Sequence, residues 1–86
     1  MSLIQPAAVK LREVFTAALL ANAAAIILAH NHPSGDPTPS EADRRFTMRM
    51  KQCAEMMQIQ FCDHVIIGAP RQGAQPWFSF KSAGLL

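Results

Sequence analysis

Ala23-Ala-Ala-Ile-Ile-Leu-Ala-His30-Asn-His32-Pro-Ser-Gly-Asp-Pro-Thr-Pro-Ser40-Glu-Ala-Asp43 is the stretch on which the reading of the chain turns. Its first seven residues are a continuous apolar run of strand length, the pattern of a strand buried on both faces, so residues 23–29 read as a central strand. The next segment, residues 31–39, holds three prolines, a glycine and an aspartate. That composition excludes regular structure and marks a defined loop. Ser40 followed three residues later by Asp43 is a helix start, and Phe46, Met50, Cys53 and Met57 continue along one helical face.

Outward from this stretch, Leu11, Val14, Phe15, Ala18 and Leu19 recur at helical spacing, so residues 6–21 read as an amphipathic helix with Pro6 in its first turn and Asn22 as its terminator. Residues 59–67 alternate and then turn continuously apolar, as a second strand does; Gly68-Ala-Pro-Arg-Gln-Gly73 is a turn, and residues 77–80 form a short third strand. The order is helix, strand, helix, strand, strand: an α/β domain. The strand-helix-strand unit implies a crossover connection, and a buried central strand needs a neighbour on each edge. Either a partner chain covers an edge, which would make a homodimer, or strands of the complete domain lie outside this sequence; the site favours the second.

Eighty-six residues, half of them hydrophobic, suffice for one small core. Met1-Ser2-Leu3 has the look of an expression-vector leader. Eight Lys and Arg against six Asp and Glu give a net charge of +2, scattered along the chain rather than gathered in a stripe, which makes no case for nucleic acid. Cys53 and Cys62 are too few for a disulfide framework and read as small hydrophobes, so a reducing, cytoplasmic setting is expected. No apolar run reaches the ~18 residues of a membrane span.

His30 and His32, one residue apart at the carboxyl end of a strand, leave the same face of the chain and make half of a zinc site. Asp43, in the first turn of the next helix, can complete a His-His-carboxylate set with one position open for water, the layout of a catalytic zinc centre. Ser40 would lie beside that open position, where its hydroxyl could donate to the oxyanion of a tetrahedral intermediate. Each residue also has a plainer role: Ser40 and Asp43 form a capping box, and the histidines a polar strand end. Four positions of the right chemistry at fixed spacing are what favour a site.

The same string resembles the JAMM motif as it stands in the RadC family, bacterial proteins whose historical label is DNA repair. The likeness extends to Arg12-Glu-Val-Phe15, to Ala17-Ala-Leu-Leu-Ala-Asn-Ala-Ala-Ala-Ile-Ile27, to Asp63-His-Val-Ile-Ile-Gly68 and to Gly84-Leu-Leu86. The resemblance implies an MPN/JAB-like, cytidine-deaminase-like αβα layered domain, here as a single partial domain over residues 1–86. It implies a zinc-dependent metalloprotease or isopeptidase-like hydrolase with His30, His32 and Asp43 as Zn2+ ligands, Ser40 as transition-state donor and a protein or peptide as substrate. JAMM enzymes take their general base from a glutamate on a strand well before the first histidine. Glu13 is the sole acid before His30 and belongs to the first helix. This departure points to absent N-terminal strands and leaves a second reading open, a non-catalytic interaction or DNA-associated module.

Other candidates take quieter roles. Asp36 in Ser-Gly-Asp-Pro organises a turn. His64 is expected to be a hydrogen-bonded histidine far from the site rather than a ligand. Arg44, Arg45, Arg49 and Lys51 form a solvated helix face, and Trp77, Phe78 and Phe80 an edge-strand core. Deaminase and zincin spacings are absent.

Overall fold

The computed structural model describes residues 11–86. Helix α1 spans Leu11–Leu20, strand β1 Ala25–Asn31, helix α2 Glu41–Met56, strand β2 Gln60–Ile67 and strand β3 Trp77–Ser79. The element order is the expected one. The start of the first helix at Pro6 and the leader at residues 1–3 lie outside the described residues.

Asn22 ends α1 in the left-handed region at φ 52°, with the Ala23 N–H donating to the Ala18 carbonyl and the Asn22 N–H to the Leu19 carbonyl. That bond pair is a Schellman cap. Helix α2 closes the same way around Gln58, whose φ of 57° is unusual for a residue that is neither Gly nor Asn. At its other end Ser40 is the N-cap and the capping box is complete.

Strand β1 pairs in parallel with β2, and β2 pairs antiparallel with β3, giving the order β1-β2-β3. Among the described residues the central strand is therefore β2, where the sequence pointed to residues 23–29. Among the described residues β1 is an edge, and it begins at Ala25 and runs through His30 to Asn31. The parallel register Leu28↔His64 and His30↔Ile66 puts Ile26, Leu28 and His30 on one face with Phe61, His64 and Ile66.

Both helices lie on that face. Phe15 and Ala18 of α1 and Phe46, Met50 and Ala54 of α2 form one core with Ile59, and Ile26, Leu28 and Phe61 pack against it. Each large side chain so buried contributes ~1.5–3 kcal/mol. The opposite face carries Ile27, Val65, Ile67 and Trp77, and no described helix covers it: Ile27 is 63 % exposed, Ile67 44 % and Trp77 47 %. The described residues thus form the expected α/β domain, two helices on one face of a three-stranded mixed sheet. Trp77, expected in the core, stays outside it because its partner Ile67 points to the open face; Phe80 is buried and Phe78 half-buried. Cys53 and Cys62 are free thiols. No described helix is long and apolar enough to cross a membrane.

Candidate metal centre

The parallel β1–β2 pairing sets one end of the site. His30, on the helix-facing side of β1, is buried, and His32 follows one residue beyond the strand, still tied to the sheet by its N–H to the Ile67 carbonyl at 3.0 Å. The loop after it is held from two sides. Asp36 caps a turn by accepting from the Thr38 N–H at 3.0 Å and the Thr38 hydroxyl at 2.7 Å, as the sequence suggested. Gly35, at φ 85°, gives its carbonyl to the Ala69 N–H at 2.8 Å, and Gly68 lies so close beneath that a Cβ there would overlap the Gly35 carbonyl. The loop so shaped delivers Ser40 and Asp43 to the histidines.

Ser40 and Asp43 bind each other reciprocally: the Asp43 N–H donates to Ser40 Oγ at 3.1 Å, and the Ser40 N–H to Asp43 Oδ2 at 2.8 Å. The carboxylate is buried and leans toward both imidazoles, with Oδ2 3.0 Å from His32 Nε2 and Oδ1 3.5 Å from His30 Nε2. One ligand atom from each of His30, His32 and Asp43 lies within 4.8 Å of the others, and among the described residues no other group of three or more such side chains comes together. Capping and site geometry are therefore served by the same aspartate, through different lone pairs.

The donor set fits a cation. His32 Nδ1 lies 2.8 Å from the Asp36 carbonyl oxygen, which can only accept, so Nδ1 carries a proton and Nε2 is the nitrogen turned toward Asp43. His30 Nε2 is buried without any hydrogen-bond partner. Electron-rich atoms converging in a buried space are costly unless a positive charge stands among them. Burial holds the His30 imidazole below its ordinary value, Asp43 opposing and His32 assisting. For Asp43, burial works to raise the carboxyl, but the Ser40 hydrogen bonds and the two imidazoles outweigh it and hold the group ionised. A neutral His30 imidazole beside an ionised carboxylate is the pairing of protonation states that metal ligation needs.

His64 is hydrogen-bonded, as expected, but it is not far from the site. Its Nε2 lies 3.0 Å from His30 Nδ1 and its Nδ1 2.6 Å from Thr47 Oγ1, while the Phe80 ring stacks on it at 4.7 Å and 4°. Burial, with help from His30, pushes its pKa down to about 4. The contact is absent from local sequence because 34 residues separate the two histidines; only the parallel register makes them neighbours. Thr47, also missed, looks like any helix-interior threonine. Ser40 itself is exposed at the mouth of the cluster, and Glu13 is exposed on α1.

The family description "RadC-like JAB domain" matches residues 2–85. The chain belongs to the RadC family. Among its relatives are UPF0758 proteins of Chlorobium luteolum, 51 % identical over 85 residues, and of Thermotoga maritima, 48 % identical over 85 residues; each alignment covers 99 % of this chain and 34 % of the relative. A UPF0758 protein of Enterococcus faecalis is 58 % identical over 57 residues, covering 66 % of this chain and 25 % of the relative. This RadC-family chain thus spans about a third of the length of the first two. Its small α/β architecture and its His-His-Asp cluster are consistent with a JAB domain, and that cluster could hold a metal ion.

Proposed function

We propose that this RadC-family chain carries the metal centre of a zinc-dependent amide hydrolase of peptidase or isopeptidase type, with His30, His32 and Asp43 as ligands. The observation that supports this most is the convergence of those three ligand atoms within 4.8 Å around a buried imidazole nitrogen that has no partner of its own. Bound zinc supplies Lewis acidity and a water made acidic enough to attack near neutral pH. The chain's own contribution is to hold the ligands and to offer a donor. Ser40 Oγ accepts the Asp43 N–H, which leaves its single proton without a partner among the described residues and able to meet the oxyanion of a peptide carbonyl.

A second reading, a metal-stabilised interaction module, is favoured by one observation. The metal-capable cluster has Asp43 as its single carboxylate, and Glu13, the sole acid before His30, stands exposed on α1. For a DNA-associated version, Arg44, Arg45 and Arg49 stand exposed on α2 without an ion pair among the described residues. Binding to duplex DNA that persists at raised salt would favour this version, because so modest a charge gives contacts that salt dissolves.

The deciding experiment assays zinc-loaded chain and the full-length Chlorobium luteolum relative against fluorogenic peptides and lysine-linked isopeptides. The hydrolase reading expects chelator-sensitive cleavage, faster in the relative, and its loss in this chain on Asp43→Ala. Absence of chelator-sensitive cleavage by both zinc-loaded proteins would overturn it.

A further inference from the structure

We propose that Thr47 and His64 form a directional hydrogen-bond relay that fixes the proton of His30 on Nδ1, so that Nε2 always presents a lone pair toward Asp43 and a bound metal; they are positioning residues for that ligand. The proposal rests on the metal-centre reading above, but not on any hydrolytic activity.

The direction follows from counting protons. A threonine hydroxyl has one. Thr47 Oγ1 lies 2.9 Å from the Asp43 carbonyl, which can only accept, so the proton is used there. Facing His64 Nδ1 at 2.6 Å, the same oxygen must accept, which places a proton on Nδ1 of His64. His64 is fully buried, and its two ring nitrogens meet a hydroxyl and an imidazole with no carboxylate at hydrogen-bond distance to balance a charge, so the ring is neutral and its Nε2 is bare. At 3.0 Å from His30 Nδ1, a bare Nε2 can only accept, and His30 Nδ1 must carry the proton. His30 Nε2 is then a lone pair, in agreement with its having no hydrogen-bond partner and with its 3.5 Å separation from Asp43 Oδ1. The reverse direction would put a proton on Nε2 aimed at an oxygen too distant for a good bond.

Packing holds the relay in place. Phe80, stacked parallel on His64, opposes rotation of its ring, and His64, His30 and Thr47 are each almost fully buried. The relay starts at the backbone carbonyl of Asp43 itself and ends on His30, so α2, β2 and β1 are fixed around one centre. His32 is oriented by a separate device, the Asp36 carbonyl. Each imidazole of the pair therefore has its own orienting acceptor, one from the loop and one from the core.

The test reads the ring nitrogens directly. Long-range proton–nitrogen correlation spectra of the 15N-labelled, metal-free chain should show His30 and His64 both protonated at Nδ1; a proton on His30 Nε2 overturns the relay. Thr47→Val and His64→Phe should each let His30 populate both tautomers. Zinc affinity, measured by chelator competition, should fall ~10–100-fold in His64→Phe. His64→Gln, whose amide oxygen can accept from His30 Nδ1, should recover most of that loss, which a merely structural role would not produce. Unchanged tautomer and affinity in His64→Phe would overturn the proposal. Should that variant fail to fold, the wild-type spectrum and Thr47→Val decide alone. Failure of the wild-type chain to bind zinc would instead sink the metal-centre reading, a result distinct from a misplaced proton.

Discussion

His32 Nε2 stands 3.0 Å from Asp43 Oδ2 although the Nδ1 of the same ring is engaged by the Asp36 carbonyl at 2.8 Å. The loop carbonyl thus turns Nε2 toward a carboxylate that also accepts from the Ser40 N–H, and the two ligand atoms stand side by side as a cation would need them. Replacing the carboxylate by its neutral isostere tests this. Asp43→Asn should weaken zinc binding by more than the ~10–100-fold that loss of an outer hydrogen bond costs. Chelator competition measures it, and near-native affinity would count against Asp43 as a ligand.

Ser40 serves the helix and, on our reading, the reaction. Ser40→Ala removes the cap and should cost ~1 kcal/mol, lowering Tm by roughly 4–8 °C for a domain of this size. Zinc content should be unchanged. In an active preparation, hydrolysis should fall by ~10²–10³-fold, the cost of one oxyanion donor. A lowered Tm with undiminished turnover would leave Ser40 as a cap alone.

Gly68 lies outside the ligand set, yet the loop that carries His32 toward Asp43 rests on it. In Gly68→Ala the new methyl meets the Gly35 carbonyl and the Pro37 ring, which must move. Overpacking of this kind costs ~1–3 kcal/mol. Because Gly35 and Asp36 both shape the His32 turn, zinc affinity should fall along with Tm. A variant destabilised but binding zinc as tightly as wild type would show that the loop does not position the ligand.

Acid should destabilise the metal-free chain earlier than its carboxylates alone would. His64 is held down to about 4 against an ordinary 6.5, so below 6.5 the unfolded chain takes up a proton that the folded chain refuses. Its contribution to stability is constant above that value and declines as pH falls from about 6.5 toward 4, by a few kcal/mol at most. Denaturation midpoints across this window should decline in wild type and less steeply in His64→Gln. Equal slopes in the two would contradict the burial of a neutral His64.

How far the sequence led differs from residue to residue. Ser40, Asp43 and the proline-bound loop were legible because capping and turn chemistry act within a few residues. His30 and His32 were legible as a pair because strand geometry alone sets their shared face. The rank of β1 in the sheet was not: a continuous apolar run reads alike whether helices cover both faces or one, and Ile27 proves exposed where Ile26 and Leu28 are covered. His64 was misplaced for a related reason. Its contact with His30 is created by the parallel register Leu28↔His64, and no local pattern encodes a register across a crossover. Gln58 escaped notice because the left-handed position that closes α2 was filled by a residue with no special liking for it.

The most direct test of the central claim is the zinc content of the purified chain by elemental analysis, after dialysis against metal-free buffer, beside a His30→Ala variant. About one zinc per chain is expected in the wild type, the load of a single three-ligand centre with one position open, and its loss in the variant. Wild-type chain that retains no zinc, or a variant that retains as much as wild type, would contradict it.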